Sequence, residues 1–80
     1  MVQGQDKKIL KKIGDNLKKI RTGKGLSLRT LSHRCSIDFS DIGKIERGEN
    51  NATVLTLNQL AEALEVPLYE LFKFESGMEE

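Results

Sequence analysis

His33 and Cys35, two residues apart, are the side chains that most invite a metal-site reading. They are also the sole histidine and the sole cysteine of the chain, and a structural zinc site takes four such ligands. The pair is therefore expected to hold no metal. Cys35 suits a small packing position between two helices, and His33 suits a helix surface. The same scarcity leaves no internal disulfide and no second His or Cys for a catalytic triad. Neither G-x-x-x-x-G-K-[ST] nor H-E-x-x-H occurs. A chain of 80 residues buries only ~60–65% of the surface it would expose unfolded, which leaves little room for an enclosed cavity. The class of function expected is binding, with no catalytic residues and no cofactor.

Charge is distributed unevenly. Up to Arg34 there are ten Lys/Arg against Asp6 and Asp15, a balance of +8; from Cys35 onward Lys44, Arg47 and Lys73 stand against ten acids, a balance of −7. A basic half can serve as an electrostatic footprint for phosphates, or it can be a solvated lysine-rich helix that binds nothing. No apolar run approaches the ~18 residues of a membrane span. The opening Met1-Val2-Gln3-Gly4-Gln5 lacks the apolar stretch of a secretory signal. A lone thiol fits a reducing compartment, so a cytoplasmic protein without membrane association is expected.

Five helical stretches account for the chain. Residues 1–5 are expected to be flexible, residues 6–73 to form one domain, and residues 74–80 to be an acidic, frayed tail. The first helix, Asp6 to Arg21, carries Ile9, Ile13, Leu17 and Ile20 on one face, widened by Leu10. Gly14 inside it costs about 1 kcal/mol relative to Ala, which suggests a close helix contact there. Thr22-Gly23-Lys24-Gly25 ends it as a cap and turn. Ser27 is an N-cap candidate for a short helix Leu28 to Arg34, and Asp38 for a third, with Asp41 in its first turn and Gly48 as a left-handed stop. Thr53 starts a fourth helix with the stripe Val54, Leu57, Leu60, Ala61 and Leu64; Pro67 introduces a fifth, buried through Leu68, Leu71 and Phe72.

The stretch Ser27 to Glu46 places two short helices on either side of a three-residue break, with apolar anchors Leu31, Ile37, Ile42 and Ile45 and the small Ser32 between them. That is the helix-turn-helix layout, in which the first helix crosses a nucleic-acid backbone and the second enters the major groove. The run "GLSLRTLSHRCSIDFSDIGKIERGENNATVLTLNQLAEALEVPLYELF", preceded by "IGDNLKKIR", resembles the phage-repressor and Cro-like (XRE) helix-turn-helix family over about residues 13–72.

The resemblance implies an all-α, five-helix, lambda-repressor-like bundle. It implies sequence-specific double-stranded DNA binding by a transcriptional regulator, repressor-like, acting as a homodimer on a palindromic operator. A structural ion pair is expected between Arg21 and Glu46. The family's base-reading positions fall on Phe39, Ser40 and Lys44, with Gly43 on the same general side. Lys44 can donate to guanine O6/N7, Ser40 can donate or accept at a base edge, and Gly43 lets backbone come close. Phe39 suits either a thymine methyl or a protein contact. Asp41 suits a helix-capping role, with cytosine N4 the other option. Phosphate contacts are expected from Ser27, Arg29, Asn50, Asn51 and Thr53, which position without reading sequence.

Two residues depart from the family pattern. Leu28 stands where a Gln is usual, which removes a polar contact. Ser36 stands where a Gly is usual in the turn, a strained substitution if that position needs positive φ. The third helix also carries Asp38, Asp41 and Glu46 against Lys44, a net −2 that falls to −1 if Arg21 neutralises Glu46. Alternatives on the same fold are a protein-interaction module using Phe39 and Leu28, an antitoxin, or a restriction-modification controller. No small-molecule effector is inferred. The dimer contact is expected around Leu71, Phe72 and Phe74.

Overall fold

The computed structural model describes residues 4–74. Helix α1 spans Gly4–Gly23, α2 Leu28–His33, α3 Phe39–Glu46 and α4 Val54–Ala63, and a 3-10 helix covers Leu68–Phe72. No strand occurs among the described residues. The fold is thus all-helical, with four α-helices and a 3-10 turn where a fifth α-helix was expected. Pro67 precedes that turn in an extended conformation, and its carbonyl accepts from Glu70 N–H at 3.0 Å, the i+3 spacing of a 3-10 turn.

α1 begins earlier than expected, so Gly4 and Gln5 are helical instead of belonging to a flexible N-terminus. Residues 1–3, and the acidic tail beyond Phe74, lie outside the described residues. Phe74 itself is half-buried against the core, with the Lys12 ammonium 5.6 Å from its ring centre.

Local chemistry explains where the helices stop and start. Ser27, Asp38 and Thr53 each accept a backbone N–H of the following first turn, the N-cap role their side chains suit. Three helices end in the same paired-bond motif. Leu26 and Gly25 donate back to Arg21 and Thr22, Glu49 and Gly48 to Lys44 and Ile45, and Val66 and Glu65 to Ala61 and Glu62. The left-handed residue is Gly25 (φ 73°) and Gly48 (φ 74°) in the first two, but Glu65 (φ 62°) in the third. Ser36 is not in the left-handed region, so the turn carries none of the strain its replacement of Gly would otherwise have caused.

The core gathers Ile13, Leu17, Leu31, Ile42, Ile45, Leu57, Leu60, Ala61, Ala63, Leu64 and Leu71. Most of the expected apolar stripes face it. The exceptions lie at stripe ends: Ile9 (40% exposed), Val54 (63%) and Phe72 (39%) face outward. Gly14 is buried where α1 crosses the end of α3, and a Cβ there would collide with the carbonyl oxygens of Ile45 and Glu46. Asn16 ties the 3-10 helix to α1 by donating to the carbonyls of Leu71 (3.0 Å) and Lys73 (3.2 Å).

Candidate nucleic-acid interface

α3 buries one side and presents the other. Ile42, Ile45 and Glu46 are buried, whereas Phe39, Ser40, Asp41 and Lys44 are exposed. α2 supplies the buried Leu31 beneath it, and Ile37 in the intervening turn packs on the same core. The buried side is fixed by the Arg21–Glu46 ion pair, with Nε to Oε2 at 2.6 Å and Nη2 to Oε1 at 3.0 Å. Arg21 Nη1 also donates to the Leu26 carbonyl at 2.8 Å. One guanidinium thereby joins the end of α1, the turn after it and the end of α3.

Of the expected base-reading residues, Phe39, Ser40 and Lys44 share the open side of α3, but Ser40 is already engaged. Its hydroxyl and its backbone N–H both donate to the Asp38 carboxylate. The Ser40 hydroxyl first, and the amide second, hold the Asp38 carboxyl below the usual aspartate range. Asp38 therefore caps α3, as its position before the helix led one to expect; Asp41, for which a capping role was also expected, makes no side-chain hydrogen bond among the described residues.

Gly43 departs from expectation. It is buried, and a Cβ placed on it would lie 3.2 Å from Arg47 Nη1 and 3.6 Å from Leu28 Cδ1. The residue is small because α2 and the Arg47 side chain pass over it. It is not an open approach for a ligand unless Arg47 moves. Leu28, the residue in place of the family's Gln, helps to close this spot.

The expected phosphate-contacting residues fall into two groups. Asn50, Asn51 and Thr53 line an open cleft of about 600 Å³ that Asp38 and Asp41 also line, so two carboxylates share the space assigned to an anion. The Thr53 and Ser27 hydroxyls are both occupied as caps, accepting from Thr56 N–H at 3.1 Å and Thr30 N–H at 3.0 Å. Arg29 stands elsewhere. Its guanidinium carbon lies 4.6 Å from the centre of the Phe39 ring, a cation–π contact worth about 0.5–1 kcal/mol at an exposed site.

Two residues that the sequence reading left out belong to this face. Arg47 donates through Nε and Nη2 to both oxygens of Glu49, at 3.0 and 3.2 Å. The mutual hydrogen bonds push the Arg47 guanidinium up and hold the Glu49 carboxyl down from their ordinary values. Their i, i+2 spacing just past a helix stop was the available signal. With Glu46 neutralised by Arg21, the charges at this face are Arg29, Lys44 and Arg47 against Asp38, Asp41 and Glu49. The face is balanced overall, with the cations on side chains long enough to reach outward. Cys35 is half-buried, its thiol donating to the Leu31 carbonyl at 3.4 Å, and His33 is exposed.

A family model described as helix-turn-helix matches residues 17–71. The chain belongs to the helix-turn-helix family. It is 38% identical over 61 residues to an uncharacterized HTH-type transcriptional regulator of Sinorhizobium fredii, covering 76% of this chain and 79% of that one. Among solved structures, this helix-turn-helix chain is similar to the restriction-modification controller protein C.AhdI from Aeromonas hydrophila, at 41% identity and TM-score 0.77, over 79% of this chain and 96% of the other. It is also similar to the controller protein C.Esp1396I, whose tetramer was solved in complex with its natural 35-base-pair operator, at 32% identity and TM-score 0.75, over 81% of this chain and 86% of that one. No helix among the described residues is long and apolar enough to cross a membrane.

Proposed function

We propose that this helix-turn-helix protein is a transcriptional regulator that binds double-stranded DNA sequence-specifically as a homodimer, with α3 in the major groove. The observation that carries the reading is the two-sidedness of α3: Ile42, Ile45 and Glu46 lock it to the bundle, while Phe39, Ser40 and Lys44 stand outward. N-terminal residues of such a helix are the ones that reach base edges. The likeness to a controller protein crystallised on its operator supports the same reading, and that to C.AhdI favours a restriction-modification controller over an antitoxin. The setting is cytoplasmic, and the role is binding rather than catalysis.

Lys44 reads a base, and Arg29 and Arg47 supply the remaining cations of the face. The second copy docks on the apolar groove lined by Ile9, Leu10, Val54, Leu57 and Phe72. Leu71, expected at the dimer contact, is fully buried in the protein's own core and is not available to a partner.

Selection of bound duplexes from a random DNA pool tests the proposal. Inverted repeats with half-site centres about one helical turn apart, ~34 Å, are expected. Failure to bind any duplex at micromolar protein and low salt would overturn it in favour of a protein-interaction module, because phosphate-driven binding is strongest at low salt.

A further inference from the structure

The chain has four arginines, and three donate to protein partners. Arg21 is committed to Glu46 and the Leu26 carbonyl, Arg47 to Glu49, and Arg34 to the Ala63 carbonyl. Arg29 differs: its guanidinium donates to nothing among the described residues, yet it is held in place by the face of Phe39. Stacking of this kind uses the π face of the guanidinium and leaves all five N–H donors in its plane available. Phe39 is the first residue of α3, the end of a recognition helix that lies nearest base edges. An unengaged donor fork is thus fastened beside the reading end of α3 by a residue that carries no charge to neutralise it.

From this we infer that Arg29 and Phe39 form one base-reading unit, in which Arg29 engages O6 and N7 of a guanine and Phe39 is the positioning residue that orients it. The inference rests on the DNA-binding reading above, and it replaces the phosphate role expected for Arg29 and the direct base contact expected for Phe39. Either ligand can take the fork, but a guanidinium whose plane is set by a ring at the reading end of α3 is matched to the paired O6 and N7 acceptors of a guanine edge.

The test uses the full chain and a duplex recovered from the pool selection, with 7-deazaguanine, which lacks N7, placed at each guanine in turn. Wild type should lose roughly tenfold in affinity at one guanine per half-site, within the range of a bidentate contact. Arg29→Lys and Phe39→Leu should each lose a similar factor on the natural duplex and become indifferent to that 7-deazaguanine. The double variant should be no weaker than either single one, Phe39→Tyr should restore wild-type behaviour, and Arg29→Lys should leave the salt dependence unchanged. Arg29→Lys binding like wild type with the same 7-deazaguanine sensitivity would overturn the inference, as would additive losses in the double variant. Absence of binding by the wild-type chain to any duplex at low salt would instead identify the DNA-binding reading as the part that failed.

Discussion

Arg21 and Glu46, separated by 25 positions in the chain, meet edge to edge through two hydrogen bonds while 8% and 5% exposed. Removing one partner leaves the other charge buried without compensation, a loss of about 3–5 kcal/mol. A domain of this length has roughly 4–12 kcal/mol in all. Arg21→Ala should therefore remove from about a quarter to all of the stability, read as a large fall in the urea midpoint. Arg21→Lys, which keeps the charge without the fork, should fall between. A loss below about 1 kcal/mol for Arg21→Ala would mean the pair behaves as a surface bridge.

Gly14→Ala should reverse the usual sign for a helix interior. An exposed Gly→Ala change in a helix gains about 1 kcal/mol. Here the added methyl meets the carbonyls of Ile45 and Glu46, which are backbone and cannot rotate away. Overpacking of this kind costs about 1–3 kcal/mol. Thermal unfolding should show a lower midpoint than wild type, and an unchanged or higher one would disprove the close crossing of α1 and α3.

At Glu65 the reverse gain is available. A non-glycine residue in the left-handed region (φ 62°) carries strain of roughly 1–2 kcal/mol, partly offset because glycine frees the unfolded chain by about 0.4–1 kcal/mol. Glu65→Gly should raise stability by about 0.5–1 kcal/mol in the same unfolding assay. Destabilisation would indicate that the Glu65 side chain contributes something beyond the helix stop.

Acid should weaken the start of α3 at pH values below the ordinary aspartate range. The folded Asp38 carboxyl is held below its ordinary value by the Ser40 hydroxyl and amide. Its contribution is thus fully present above the ordinary aspartate value of ~3.9 and is lost as pH falls through the lower, folded value. Amide exchange at Ser40 and Asp41 should quicken in that window. Asp38→Asn, which retains a capping oxygen, should abolish the pH dependence there; its persistence would place the titrating group elsewhere.

Lys44 and Glu49 should move DNA affinity in opposite directions. Lys44→Ala should cost roughly 1–3 kcal/mol on the selected duplex and relax preference at one position. An equal loss on every duplex would mean a phosphate contact. Glu49→Gln releases Arg47 from its carboxylate partner, so binding should tighten on all duplexes and the salt dependence should steepen by about one phosphate contact, close to 0.9 in the log–log slope. Unchanged affinity would show that Arg47 stays away from DNA.

The stripe Val54, Leu57, Leu60, Ala61, Leu64 shows how far the sequence carried. Its spacing was read correctly as helical, and four of its five members are buried, but Val54 is 63% exposed. Periodicity reports which residues share a face; it does not report where the neighbouring elements end. Gly43 and Leu71 fail for the same reason. Gly43 was taken as open surface and Leu71 as a dimer contact, yet Leu28 and Arg47 cover the first and the core encloses the second.

Residues within about four positions of one another determine caps, helix stops and amphipathic spacing, because the hydrogen bonds and side-chain neighbours involved are themselves that local. Ser27, Asp38, Thr53, Gly25 and Gly48 could accordingly be read from the chain alone, and the helix-turn-helix pattern with them. The closure of Arg21 on Glu46, the collision awaiting any side chain at position 14, and the seating of Arg29 on Phe39 join separate helices. They follow from how the helices pack, which side-chain shape and burial decide only once the whole bundle has formed.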